Sequence, residues 1–210
     1  MIRLLDILSK ACSVVLYPML MPMYGMLLFC YKMWARIPEV SSVYWLVCLL
    51  GTLLLTLVIP VVMLLYMRKK GHIDTLQMTD AKQRTMPYIY TLMCYLFWGY
   101  FIHIVVKLPT FILVVVLGAS ISLLSVTIIN HWWKISAHLT GIGGLLGGIC
   151  SYGICYSTLP FYPILIVLIL ALLLMYSRIH LRAHTPMQVV CGFLLGLLFT
   201  CIPNMILYHA

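Results

Sequence analysis

"FYPILIVLILALLLMYSRIHLRAHTPMQVVCGFLLGLLFTCIP", residues 161–203, holds two long apolar runs joined by a short basic hinge. A helix that crosses a bilayer needs about 20 mostly apolar residues, and each run supplies close to that number. The stretch therefore predicts two membrane helices with Arg178, His180, Arg182 and His184 crowded into the turn between them.

The rest of the chain repeats this pattern. Apolar segments fall at 11–33, 43–67, 88–106, 109–129, 141–157, 160–176 and 189–208, separated by short polar loops. Hydrophobic residues make up 64% of the chain and charged ones 8%, far from the globular average of about 45–50% and about 25%. The expectation is an all-α, polytopic transmembrane helical bundle in one integral membrane domain over residues 1–210. Ahead of the first span, Leu4, Leu5, Ile7 and Leu8 alternate with Arg3, Asp6 and Lys10, as in a short interfacial helix.

Charge narrows the chemistry. The net charge of +9 arises because Asp6, Glu39, Asp74 and Asp80 are the whole carboxylate inventory. Paired-carboxylate hydrolysis and a two-metal phosphatase site both need acids that the chain lacks beyond residue 80. All eight cysteines lie in or beside apolar spans without a CxxC spacing, which reads as packing. Seven spans would place the N-terminus and the loops 68–87, 130–140 and 177–188 on one membrane side. That side carries ten lysines and arginines, against Lys32, Arg36 and Lys107 opposite.

Those three loops hold the candidate site. In the last, Thr185 can cap the next helix, Pro186 fits its first position, and Gln188 completes a capping box, so His184 stands just before a helix N-terminus. Free backbone N–H groups there attract anions, and arginines supply forked donors for phosphate oxygens. In the middle loop Ser136 and His138 precede another apolar helix, with Trp132 and Trp133 at headgroup level. The first loop carries Lys82 and Arg84 before the third span, with Asp80 placed to pair with Arg84 at i, i+4. His103, inside a span, reads most simply as an imidazole bonded to a neighbouring helix. The glycine pairs Gly143/Gly147, Gly144/Gly148 and Gly192/Gly196 have the spacing of close helix packing.

With these loops in place the chain resembles the membrane branch of the type 2 phosphatidic acid phosphatase superfamily, over residues 68–208. Its last motif reads S-R, five residues, H, three residues, D; Ser177, Arg178 and His184 match, and Gln188 stands at the acid. Its P-S-G-H motif is met by Ile135, Ser136, Ala137 and His138 in the serine and histidine only. Its first motif, K, six residues, R-P, is approached by Lys82, Arg84 and Pro87 with a different spacing. The resemblance implies a six-helix core preceded by an extra N-terminal span, in a bacterial inner membrane. It implies a lipid phosphatase that needs no metal or cofactor. His184 would be the nucleophile, His138 the general acid and Gln188 the group that orients His184, with Asp74 or Asp80 as substitutes for the missing acid. Arg178, Ser136, Lys82, Arg84 and Arg182 would hold the phosphate. The expected partners are a phosphorylated lipid substrate and membrane lipids, not nucleic acid. Two other readings stand beside this one: a relative that binds anionic headgroups without turnover, and a haem carrier using His103, His131, His138 or His184 as axial ligands.

Overall fold

Proline breaks the first apolar stretch. In a computed structural model, which describes residues 2–37, 39–75 and 82–209 apart from the side chains of Ile2, Arg3, Ala35, Lys82 and His209, the span expected at 11–33 is two helices. These are α1 (Ile2–Val15) and α2 (Met21–Arg36), joined through a 3-10 turn at Pro18–Leu20. A residue before proline is pushed out of the helical region, and Tyr17 accordingly takes φ −68° and ψ 137°. The chain changes direction there.

α1 is amphipathic with its polar side inward. Ser9 and Ser13 are buried, while Leu4, Ile7, Leu8, Val14 and Val15 are exposed. Such a helix is stable only where its outer face meets hydrocarbon rather than water.

α3 (Ser42–Leu53) and α4 (Ile59–Lys69) continue one another through a π-helical turn at Leu54–Val58. Pro60 lacks an N–H and its ring crowds the carbonyl four residues back; the wider turn just ahead of it absorbs both effects. The remaining helices are α5 (Thr85–Ile104), α6 (Thr110–Ile129), α7 (Ala137–Cys155), α8 (Phe161–His180) and α9 (Pro186–His209). All regular structure among the described residues is helical.

Five segments are long and apolar enough to cross a membrane: Leu4–Trp34, Ser42–Lys69, Thr110–Ile129, Phe161–His180 and Pro186–Tyr208. The other two long helices, α5 and α7, have 20 and 19 residues, close to the length of about 20 that a bilayer requires. Their tyrosines, histidines and glycines leave them less apolar than the five, where the sequence predicts seven spans. Hydrocarbon-facing burial nevertheless runs through the bundle. On α8, Ile166, Ile169, Leu172 and Leu173 are exposed, whereas Ser151, Thr200 and Asn204 of α7 and α9 are fully buried. This is the build of an integral membrane protein.

α7 lies at the centre, packed against α2, α6, α8 and most closely α9. Its glycines divide by face. A Cβ at Gly143 would overlap the carbonyl of Phe193, and one at Gly196 the carbonyl of Thr140, so this seam of α7 and α9 is backbone against backbone. Gly144 and Gly148 point elsewhere. A Cβ there would meet Thr200 Cγ2 at 3.6 Å and Val115 Cγ1 at 3.3 Å, and both positions line a cavity. Hydroxyls stitch the same seam: Asn204 Nδ2 donates to Ser151 Oγ at 3.1 Å and Ser151 Oγ donates to Thr200 O at 3.0 Å.

The starts of α5, α7 and α9 and the ends of α6 and α8 gather on one side of the bundle, beside the turn between α1 and α2. At the opposite end, Arg36 lies over Tyr152 and Tyr156 at 5.8 and 4.9 Å from the ring centres. Helices α1 and α2 are not an appendage to the later helices, because α1 packs on α8 and α2 on α7.

Candidate functional site

The loop between α8 and α9 is shaped by two caps. Ala183 N donates to Arg178 O at 3.1 Å and Arg182 N to Ile179 O at 2.9 Å, closing α8 with Arg182 at φ +51°. This left-handed position normally takes glycine. Lys107 and Ser157 adopt it too, at the opposite side of the bundle. α9 then begins with a reciprocal capping box: Thr185 N donates to Gln188 Oε1 at 3.1 Å and Gln188 N to Thr185 Oγ1 at 3.4 Å.

His184 sits between the caps. Its Nδ1 lies 3.1 Å from Lys134 O and 3.2 Å from Gln188 Oε1. Both partners are acceptors, so Nδ1 carries the hydrogen and the lone pair of the neutral ring is on Nε2. Gln188 therefore caps α9 and orients His184 with the same oxygen. Burial, then the Arg178 guanidinium, lowers the ring's pKa to about 4, against the opposing pull of its two hydrogen bonds. His184 is neutral at physiological pH.

Charge at Gln188 is thus a handle on the ring. Gln188→Glu keeps an oxygen for both the cap and Nδ1–H but adds a negative charge, which favours the protonated ring. The expected result is a His184 titration that moves upward from near pH 4, because the added charge holds the proton on the ring to a higher pH. NMR titration of the ring in both proteins checks this.

His138 enters from the first turn of α7, donating from Nε2 to Ser13 O at 3.2 Å, with the Tyr17 ring edge-on at 5.4 Å. Arg178 Nη1 donates to Ser13 Oγ at 3.3 Å, and its Nε is buried with no partner. Arg84 is buried and donates from Nη1 to Asn130 Oδ1 at 3.4 Å. The Lys134 ammonium is pushed below its ordinary range by burial first and then by Arg84 and Arg178. Five of these side chains, Arg84, Lys134, His138, Arg178 and His184, line the mouth of one cavity of about 1110 Å³. Arg182 lines it as well and is otherwise exposed.

Ser136 stands apart from the cavity wall. It is fully buried where α9 passes, its N donates to Gln188 O at 3.3 Å, and its Oγ has no hydrogen-bond partner. Lys82 falls in a 3-10 turn beside Arg84, and its side chain lies outside the described residues. Asp80 lies outside them altogether.

Asp74 is not among the hydrogen-bond partners of His184. It is bound to Gln83, whose Nε2 donates to its Oδ2 at 2.6 Å. His180 pairs with Asp6 at 2.8 Å, and His131 closes its own helix end on Thr127 O at 3.0 Å. His103 departs from expectation, since its Nδ1 is buried without a hydrogen-bond partner. No group of three His, Cys, Asp or Glu among the described residues could hold a metal ion.

Three contributors went unread in the sequence. Ser13 and Tyr17 belong to the apolar segment 11–33, and Asn130 directly follows the segment 109–129. Their partners lie far along the chain, 125 residues for Ser13 with His138 and 165 for Ser13 with Arg178.

A substitution at Arg182 separates backbone from charge. Arg182→Gly suits the φ of +51° better and should stabilise the fold by about 0.5–1 kcal/mol, while removing one cation from the cavity wall. Thermal denaturation of the two proteins checks the stability.

Comparison of the chain with protein-family models, curated proteins and solved structures gives no match. The function is therefore argued from the geometry.

Proposed function

We propose that the protein is a membrane lipid phosphatase that hydrolyses a lipid phosphomonoester or pyrophosphate through a phosphohistidine. The observation that carries this reading is His184: its Nδ1–H is held by two oxygens, which leaves an Nε2 lone pair in a residue at the mouth of a cation-walled cavity. A buried donor without an acceptor on the cavity wall, Arg178 Nε, supports it further. An orphaned buried donor costs about 1–3 kcal/mol, and phosphate oxygens are the acceptors that would relieve that cost.

In the proposed reaction His184 Nε2 attacks phosphorus, forming a P–N bond as the bond to the lipid oxygen breaks. His138, whose Nε2–H is committed to Ser13 O, acts through Nδ1. A bound phosphate brings the negative charge that lets this ring hold a second proton among the arginines. That proton passes to the leaving oxygen. Water then attacks the phosphohistidine and gives a proton back to Nδ1, releasing phosphate and restoring neutral His184. Arg84, Arg178, Lys134 and, across the mouth, Arg182 hold the phosphate oxygens and spread the transition-state charge. Lys82 belongs to this set by resemblance. The exposed Trp132, in the loop that leads to His138, supports a mouth at headgroup level. A bacterial inner membrane is the setting the resemblance suggests.

A second reading, binding of anionic headgroups without turnover, is favoured by the neutral Gln188 at the position of an acid. Phosphate release from a panel of lipid phosphates, with chelator present, decides between them. Release from at least one lipid supports hydrolysis. Saturable binding with no release from any lipid leaves the second reading standing.

A further inference from the structure

We infer that the cavity behind the histidines receives the hydrocarbon tail of the lipid phosphate and limits the length of tail that fits. The inference rests on the reading that the mouth binds a lipid phosphate, and it adds where the rest of the molecule goes.

The cavity does not end at the charged residues. From His138 its wall continues along α7 through Gly144 and Gly148 to Tyr152, a rise of about 21 Å over fourteen residues at 1.5 Å each. Beyond the mouth the lining is mainly apolar, with Trp98 and Phe111 at depth and Lys32 of α2 as the cation towards the far end. Most of its polar members already have partners. Thr52 and Thr56 donate to the carbonyls of Cys48 and Thr52 at 2.7 and 2.8 Å, and Thr200 donates to Gly196 O at 2.8 Å. Such a surface offers little to water or to a polar solute.

Glycine makes the room. Gly144 and Gly148 are not needed for backbone contact, unlike Gly143 and Gly196, since a Cβ at either would meet only side-chain atoms at 3.3–3.6 Å. Ala119 of α6 lines the same space. A cavity with cations at its mouth and apolar lining along most of the rest suits an anionic amphiphile. Phosphate at the mouth and tail along α7 satisfies both ends.

The test uses the full chain in lipid nanodiscs and n-alkyl phosphonates of increasing length, whose carbon–phosphorus bond resists hydrolysis. Binding is read by competition with inorganic phosphate. Ala119→Leu narrows the cavity on α6, and Gly144→Leu does so independently from α7. Because partition into the bilayer is common to all proteins, the readout is the ratio of wild-type to variant affinity at each length. It is expected to stay near one for the shortest chains and to reach about tenfold for the longest. A ratio that is flat with length, whether near one or uniformly raised, overturns the tail site. Phosphonate binding does not depend on turnover, so a length-dependent ratio in a protein that hydrolyses nothing would retain the tail site and sink the phosphatase reading.

Discussion

His184→Ala is expected to lower lipid-phosphate hydrolysis by at least about 10⁴-fold while leaving phosphate affinity within a few-fold of wild type. The size follows from removing a nucleophile that its neighbours cannot replace, as measured losses for such groups reach about 10⁴–10⁶. His138 is the nearest imidazole in kind, but its Nε2 is tied to Ser13 O, and the cations around it favour a ring that gives up a proton. Affinity should survive because Arg84, Arg178 and Lys134 hold the phosphate without His184. Single-turnover phosphate release and equilibrium phosphate binding on the same preparation separate the two quantities. Hydrolysis that persists in the variant at a tenth of the wild-type rate or more would remove His184 from the mechanism. His184→Gln provides a variant of similar volume that also lacks a nucleophilic ring nitrogen, and it should match the alanine form in rate.

The second large effect concerns the seam rather than the site. Gly196→Val is expected to abolish recovery of folded, monodisperse protein. Even a single Cβ at 196 would overlap Thr140 O and crowd Gly144 N at 2.8 Å, and these are backbone atoms that a rotamer change cannot move. Overpacking in a well-packed core costs about 1–3 kcal/mol when side chains can yield; here α7 and α9 would have to separate, so about 3 kcal/mol or more is expected. Separation would also pull Gln188 on α9, and His184 just ahead of it, away from Ser136 and His138 at the start of α7. Gly144→Ala is the matched control, as its new methyl would meet Thr200 Cγ2 at an ordinary 3.6 Å. Size-exclusion profiles and thermal unfolding of the two variants check the contrast.

The contrast between these glycines marks how far the sequence could be read. The spacing of Gly143/Gly147 and Gly192/Gly196 announces close packing, and the structure places it between α7 and α9. The same spacing in Gly144/Gly148 serves a cavity, because spacing specifies a face and not what lies opposite. The capping box of Thr185 and Gln188 was legible since its atoms are three residues apart. Arg84, His138, Arg178 and His184 were legible as a group because each abuts a helix end on the same side. Ser13 was not, for a serine in an apolar run carries no local sign of partners more than a hundred residues away. The break at Tyr17 could have been anticipated from Pro18, had the apolar count not outweighed it. Aromatic and glycine content explains why α5 and α7 are of spanning length without being as apolar as the others.

α1 gives the surroundings of the protein a part in its chemistry. Ser13 reaches Arg178 and His138 only because α1 lies across the mouth, and α1 is held there by Asp6 on His180 and by whatever solvates Leu4, Ile7, Leu8, Val14 and Val15. One wall of the site is therefore fastened by the amphiphile around it. Thickness, headgroup charge and the choice of detergent are expected to act on the position of α1 and, through Ser13, on Arg178 and His138. A purified preparation and a native bilayer are, for this site, two different reagents.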